Sequence, residues 1–318
     1  MTKKVLITAR SFARSPAAKA VLADAGCELV FNPHDRPLAE DELILLISGM
    51  DALVAGMDPV TAAVIAAGLP TLKIIARHGV GYNTVDVAAA KKYGVPVTIT
   101  PGANSKSVAD LTLGLMLAVA RRIPQMDSSL RAGSWSRLAG SELEGKTLGI
   151  VGTGSIGAAV AQRAAGFAMN IIAYDPCPRP ELAARFALVY RPLAEVIAQA
   201  DFLTLHAPAA PETVGLINAA TLRTMKKTAF LINTARGDLV VEDDLYDALT
   251  AGVIAGAALD TFVHEPFTDA RWFSLTNVVL TPHAGANTLE AVERMGVMAA
   301  EEVVRVLAGR PPLHPVNA

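Results

Sequence analysis

Thr147-Leu148-Gly149-Ile150-Val151-Gly152-Thr153-Gly154-Ser155-Ile156-Gly157 reads as a buried strand that runs into a glycine-rich turn and opens an Ala-rich helix. Gly152, Gly154 and Gly157 have the G-x-G-x-x-G spacing. The first glycine permits a tight turn, and the second lets the backbone approach a pyrophosphate. The third lets helix and strand pack closely, with the phosphates at the positive helix N-terminus. Glycine-rich turns are common, so the setting decides. Here a helix is predicted over 155–167, and a second apolar run over 169–174 ends in Asp175, 18 residues beyond Gly157. An acid at the end of that strand hydrogen-bonds the ribose hydroxyls of a dinucleotide and repels a 2′-phosphate. The stretch therefore implies an NAD site with NADP disfavoured, a preference that Arg179 softens. The competing reading of Asp175 is an ordinary strand-end acid before Pro176.

The same alternation extends to both sides. Upstream, strands are predicted over 4–9, 28–31, 52–55, 72–76 and 97–100, and helices over 16–25, 38–48, 61–67 and 85–93. Downstream, helices are predicted over 193–199, 219–225 and 242–249, and strands over 202–205, 229–232, 254–259 and 278–280. This pace implies βαβ crossovers and parallel sheets covered on both faces. Between the two regions, Pro101-Gly102 precedes a long apolar helix over 108–120, with Asn104, Ser105 and Ser107 as candidate caps. An irregular stretch over 131–145 follows, and an amphipathic helix over 289–307 comes last. At 318 residues two domains are expected. A dinucleotide fold in mid-chain makes the first region a second lobe, with substrate expected in the cleft between the lobes.

Composition narrows the partners. Hydrophobic residues are 52% and charged residues 18%, and a net charge of −2 gives no electrostatic case for nucleic acid or an anionic membrane. Arg10 breaks the first apolar run too early for a signal peptide, and Gly, Asp and Pro interrupt every other run before it spans a bilayer. Cys27 and Cys177 have no metal-ligand spacing, so no metal site is expected, and both read as reduced thiols of a cytoplasmic protein.

Hydride exchange between a carbinol and a nicotinamide needs a base near neutrality, a cation for a carboxylate or carbonyl, and an acid to orient the base. His283, in Thr-Pro-His-Ala-Gly, follows the predicted strand 278–280 and suits the proton. Arg236 follows 229–232 with a planar fork for a carboxylate. Glu265 lies on the loop after 254–259. Singly, each also reads as a loop or surface residue. Three complementary groups at successive strand ends carry more weight.

Several motifs in order then resemble one family: Arg77-His78-Gly79-Val80-Gly81, Thr100-Pro101-Gly102-Ala103-Asn104, Gly152 to Gly157 with Asp175, and His206-Ala207-Pro208. Asn233-Thr234-Ala235-Arg236-Gly237, Asp260 through Glu265-Pro266, and Pro282-His283-Ala284-Gly285 complete the set. The chain resembles the D-isomer-specific 2-hydroxyacid dehydrogenases, which include D-3-phosphoglycerate, D-lactate and glyoxylate/hydroxypyruvate enzymes. The resemblance implies an α/β protein of two doubly wound parallel-sheet domains. A Rossmann NAD domain over 101–287 would be inserted in a flavodoxin-like substrate domain made of 1–100 and 288–318. It also implies NAD as cofactor, a 2-hydroxy or 2-oxo acid as substrate, and a homodimer contacting through the helix near 104–121. By the same resemblance His283 is the general acid/base, Glu265 pairs with it and raises its pKa, and Arg236 binds the substrate carboxylate and 2-oxo group. Substrate is also assigned to the segment Arg77, His78, Gly79, Val80 and Gly81, with backbone amides around Val80 and Gly81 taking the carboxylate, and to Asn104. Asp260 would hold the nicotinamide carboxamide. Ser155, Ile156, His206, Ala207, Pro208, Thr234 and Ala235 would line the cofactor groove.

Two departures bear on the substrate. Asn83-Thr84 stands where the family often has Asp-Asn. Residues 53–57 carry no cation, whereas phosphoglycerate enzymes place an Arg there for the phosphate. Arg77 remains as a phosphate ligand or as an inter-domain ion-pair residue. The competing function is a non-enzymatic NAD-binding regulator of corepressor type; Arg236, Glu265 and His283 together weigh against it without excluding it. Specialised formate or phosphite chemistry would need extra polar groups at 53–57 and 77–81.

Overall fold

The computed structural model describes residues 2–317, so positions 1 and 318 of the expected domain limits lie outside the described residues. The chain divides into two compact units, Met1–Asn104 with Ala286–Ala318, and Ser105–Gly285.

The first unit contains β1 (Lys3–Ile7), α1 (Pro16–Asp24), β2 (Cys27–Phe31), α2 (Glu40–Ile47), β3 (Ala52–Ala55), α3 (Ala62–Gly68), β4 (Ile74–Arg77), α4 (Val87–Lys92) and β5 (Val97–Thr98). The second contains α5 (Ser105–Ala120), α6 (Ile123–Arg131), β6 (Thr147–Val151), α7 (Ser155–Gly166), β7 (Asn170–Tyr174), α8 (Pro180–Phe186), β8 (Val189–Tyr190) and α9 (Leu193–Gln199). It continues through β9 (Phe202–Leu205), α10 (Ala219–Thr224), β10 (Phe230–Asn233), α11 (Glu242–Thr250), β11 (Gly256–Leu259) and β12 (Val278–Leu280). Helix α12 (Leu289–Leu307) returns to the first unit, where it packs on α1, β3 and β4.

Both sheets are parallel. The first has the order β2-β1-β3-β4-β5, the flavodoxin-like arrangement, and the second β12-β11-β10-β9-β6-β7-β8, the doubly wound Rossmann order. The expected fold class is therefore present. Neighbouring residues of a strand serve opposite faces. Val5 and Ile7 pack with α1 and α12, while Leu6 packs with α2 and α3. In the second sheet Leu203 and Leu205 face one core and Phe202 the other. Each such side chain contributes about 1.5–3 kcal/mol by burial, which is why these strands read as unbroken apolar runs. The edge strand β5 is covered by the tail: Thr98 bridges Pro315 antiparallel, and Asn317 Oδ1 accepts from the Val97 N–H at 2.8 Å.

Three elements differ from the sequence reading. Helix α6 has no counterpart in it: Ile123, Met126 and Leu130 recur at helical spacing, but the run is short, carries Pro124 in its first turn and is parted from α5 only by Arg121 and Arg122, the latter at a left-handed φ of 54°. Helix α8 buries only Leu182, and β8 is a two-residue edge strand. Ser107, expected as a cap of α5, instead donates from Oγ to the Gly285 carbonyl at 2.6 Å.

The order of the second sheet reverses between β6 and β9, the switch point outside which α/β sheets bind ligands. The loops after β6, β9, β10, β11 and β12 leave the carboxyl edge of this sheet.

Candidate active site

At the switch point, Gly152 has φ of +93°, and a Cβ there would stand 2.8 Å from the His206 carbonyl carbon, so only glycine fits. A Cβ on Gly157 would meet the Gly152 oxygen at 2.0 Å, which fixes how closely α7 starts against β6. Gly154 differs: its Cβ would enter open space. No side chain caps α7, so the N–H groups of its first turn, Ser155 and Ile156 included, are available to an anion.

Asp175 is oriented by a relay that the sequence does not display. Its Oδ2 accepts from the Thr153 N–H at 2.6 Å and from Thr153 Oγ1 at 3.0 Å, and Oδ1 accepts from the Cys177 N–H. Since Thr153 spends its proton on Asp175, the Tyr190 hydroxyl donates to Thr153 at 3.0 Å and accepts from the Arg179 N–H. Arg179 turns its guanidinium to Glu181 and to the Thr153 carbonyl. The sequence signal is faint, because Tyr190 lies on a strand too short to show a pattern.

After β9, His206 Nε2 meets Thr204 Oγ1 at 3.0 Å, while its buried Nδ1 has no partner among the described residues. Burial pushes this imidazole down to about 3. Ala207 and Pro208 follow it, the Pro208 carbonyl accepting from Thr213. After β10, Thr234 Oγ1 lies 3.0 Å from Thr112 Oγ1 of α5. Asn233 holds the turn that delivers Arg236, accepting from the Ala235 N–H at 3.0 Å and donating to the Arg236 carbonyl at 2.8 Å.

The catalytic candidates come together on the loops after β10, β11 and β12. Glu265 Oε2 lies 2.8 Å from His283 Nδ1, the two side chains being 28% and 35% exposed. Nδ1 is thereby the donor to the carboxylate, and Nε2 makes no hydrogen bond among the described residues. Burial acts to raise the Glu265 carboxyl. The His283 hydrogen bond and charge, the Phe262 N–H and Arg236 outweigh it and hold the group below the usual carboxylate range. Arg236 is half-buried. Burial disfavours its charge, while Glu265 and Asp238 favour it. Its one side-chain hydrogen bond among the described residues is Nη1–H to the Ala235 carbonyl, leaving Nε and Nη2 for a ligand.

His283 adopts φ of +50°, a conformation L-residues seldom take. The fully buried Asp260 stabilises it. Its Oδ1 accepts from Thr281 Oγ1 at 2.6 Å and the Ala284 N–H at 2.7 Å, and Oδ2 from the Gly285 N–H at 2.8 Å. Charge-assisted bonds of this kind are about twice as strong as neutral ones. Three of roughly four acceptor positions are thus used inside the loop, and only Oδ2 keeps capacity for a carboxamide N–H.

In the first unit, the loop after β4 offers the N–H groups of Val80 and Gly81, which donate to nothing among the described residues. Arg77 directs Nε to the Gly81 carbonyl at 2.7 Å and Nη1 to the Ala55 carbonyl at 3.0 Å, so it braces the loops after β3 and β4. Gly79 takes φ of +149° and accepts from the Thr100 N–H. Asn104 Oδ1 is buried without a partner among the described residues.

His78 corrects the sequence reading. Its ring turns into the unit's interior, Nε2–H donating to the Val292 carbonyl at 3.3 Å and Nδ1 facing Ser11 Oγ at 3.5 Å, with Phe12 edge-on. Its backbone N–H is spent on Ala55. It packs the unit and offers substrate neither side chain nor N–H. Burial lowers its pKa from 6.5 to about 4, with the Val292 bond opposing and the Arg77 charge assisting. As pH falls from 6.5 towards 4, unfolded chains take a proton that the folded ring refuses, and up to about 3 kcal/mol of stability is lost through that window. Urea unfolding of His78→Gln is expected to show a shallower acid loss of midpoint; an unchanged pH slope contradicts the assignment.

Among the described residues there is no group of three or more His, Cys, Asp or Glu that would hold a metal, and no helix is long and apolar enough to cross a membrane.

Comparison with known proteins places this arrangement. Residues 113–285 match the family model for the D-isomer specific 2-hydroxyacid dehydrogenase NAD binding domain. The chain belongs to the D-isomer specific 2-hydroxyacid dehydrogenase family. Within that family it is 44% identical over 271 residues to D-3-phosphoglycerate dehydrogenase of Mycobacterium tuberculosis, covering 85% of this chain and 51% of that one. It thus spans about half the length of the phosphoglycerate dehydrogenases it matches first. It is 41% identical over 298 residues to glyoxylate reductase of Korarchaeum cryptofilum, covering 91% of this chain and 90% of that one. A solved structure from Thermus thermophilus superposes with a TM-score of 0.90 at 37% identity, covering 98% and 99% of the two chains. The cofactor of this family domain is NAD, and the residues present fit it. Gly154 leaves room for a pyrophosphate over the uncapped α7, Asp175 stands at the end of β7, and the buried His206 Nδ1 has no hydrogen-bond partner among the described residues.

Proposed function

We propose that the chain is an NAD-dependent dehydrogenase that interconverts a D-2-hydroxy acid and its 2-oxo acid. The observation that carries this reading is the His283–Glu265 pair with Nε2 left open, beside an arginine with unspent donors. When bound, NAD supplies the donor or acceptor of hydride. The chain's own residues do the rest. His283 Nε2 moves the proton at the substrate's 2-oxygen, and Glu265 holds the ring through Nδ1. Arg236 binds the carboxylate and polarises the 2-oxo group. The Val80 and Gly81 N–H groups take the carboxylate, with Asn104 beside the substrate. The α7 N-terminus holds the pyrophosphate, Asp175 the ribose and Asp260 the carboxamide, while His206, Ala207, Pro208, Thr234 and Ala235 line the groove. On this reading the first unit is the substrate domain and the second the cofactor domain.

Small unphosphorylated 2-oxo acids suit the site better than a phosphorylated one. Residues 53–57 carry no cation, and Arg77 points Nε and Nη1 at carbonyls. The test is NADH and NADPH consumption against glyoxylate, hydroxypyruvate, phosphohydroxypyruvate, pyruvate and a bulkier 2-oxo acid. Preference for phosphohydroxypyruvate overturns the substrate assignment. NADH binding without turnover on any acid overturns the enzyme reading in favour of an NAD-responsive regulator.

We further propose a homodimer formed through the second unit, working in the cytoplasm, where the free thiols Cys27 and Cys177 stay reduced. Trp135 is 81% exposed, with Ile123 and Leu130 exposed on α6. Trp135→Asp is expected to halve the mass in sedimentation at micromolar protein; a wild-type monomer refutes the dimer.

A further inference from the structure

The loop that carries Glu265 is held by a second carboxylate. Glu242, the first residue of α11, accepts from the Val263 N–H through Oε1 at 2.8 Å, while Glu265 Oε1 accepts from the adjacent Phe262 N–H at 3.1 Å. Two acids thus grip consecutive amides of one loop from opposite ends. The contact surface beneath them is close: a Cβ on Gly237 would stand 2.0 Å from the Phe262 carbonyl carbon and 2.2 Å from Val263 N. The turn after Arg236, the start of α11 and the 262–265 loop therefore behave as one block.

Helix formation alone does not explain the placement of Glu242. Val241 caps α11 without a side-chain hydrogen bond, and Asp243, not Glu242, takes the ion pair with Arg271. Glu242 is half-buried, and burial raises its pKa, opposed by the Val263 N–H and His264 and aided by Asp243 and Asp269. The side-chain hydrogen bond of Glu242 among the described residues runs to the Val263 amide of that loop, not back to its own helix.

We propose that Glu242 is a positioning residue for the Glu265–His283 pair, acting through the Val263 N–H. The proposal rests on the assignment of Glu265 and His283 above. Without Glu242 the loop keeps its fold but lets Glu265 drift from His283, and small misplacements of catalytic groups cost up to about 10²-fold in rate.

The test is a double-mutant cycle read in kcat, with NADH affinity followed by fluorescence. Glu242→Ala is expected to lower kcat about 10- to 100-fold with NADH affinity unchanged. Glu242→Gln keeps an acceptor for Val263 and is expected to stay within about threefold of wild type. In a Glu265→Gln background, Glu242→Ala is expected to add less than about twofold, because its route runs through Glu265. If Glu242→Ala does not fold, Glu242→Asp keeps the charge at the α11 N-terminus while withdrawing the carboxylate, and takes its place in the cycle. A wild-type kcat in Glu242→Ala, or in Glu242→Asp where that takes its place, or losses that multiply with those of Glu265→Gln, overturns the positioning role alone. Full activity in Glu265→Gln overturns the site assignment beneath it.

Discussion

His283→Ala is expected to lower kcat by about 10²–10⁴-fold, the usual contribution of a general acid/base, while NADH binds as in wild type. The separation is sharp because the loop does not depend on the imidazole for its shape. Asp260 gathers Thr281, Ala284 and Gly285, none of which involves the His283 side chain. The remaining variable is the left-handed backbone at position 283, which alanine tolerates less well than asparagine. His283→Asn therefore serves as the paired variant, with the same loss of proton transfer and less backbone strain. Stopped-flow turnover with glyoxylate or hydroxypyruvate, alongside NADH fluorescence, reads both quantities. Near wild-type turnover in either variant removes His283 from the mechanism.

Arg236→Gln is the second large effect. The guanidinium leaves Nε and Nη2 unspent in a half-buried setting where a substrate carboxylate gains more from each bond than it would in water. Losing a charge-assisted, two-pronged contact costs about 3–5 kcal/mol, a fall of roughly 10²–10⁴ in kcat/KM. Glutamine keeps some length and polarity, so the turn built on Asn233 and Gly237 survives. Arg236→Lys is expected to recover little, because an ammonium cannot present a planar fork. The loss appears in both KM and kcat for the 2-oxo acid and not in NADH affinity. A variant impaired only in NADH binding would relocate Arg236 to the cofactor.

The parallel strands are legible in the sequence because burial on both faces demands unbroken apolar runs, as at Ala52–Ala55 and Phe202–Leu205. The glycine turn is legible because steric demands at Gly152 and Gly157 leave one residue type. Helix α6 buries none of its residues, so its short period of Ile123, Met126 and Leu130 is set by no core and merges into the end of α5. In the site, His283, Glu265 and Arg236 stand out by position after strands. Contacts across about 20 residues do not: Asp260 gripping the His283 loop, Thr153 and Tyr190 orienting Asp175, and Glu242 reaching Val263 depend on proximity that only the fold creates. His78 departs from its expected role for a related reason. Its motif fixes the backbone turn but not the direction of the ring, which follows from the presence of α12.

The first unit is assembled from the two ends of the described chain, whereas the second is one unbroken segment. During synthesis Ser105–Gly285 is complete before α12 exists, so the cofactor unit can close while one wall of the β1–β3–β4 core still lacks α12. Until α12 and the tail arrive, the face formed by Val5, Ile7, Val54 and Ile74 is shielded only by α1 and Phe12, and β5 has an open edge. Until then the first unit is the half of the molecule with the more exposed apolar surface and an unpaired strand edge.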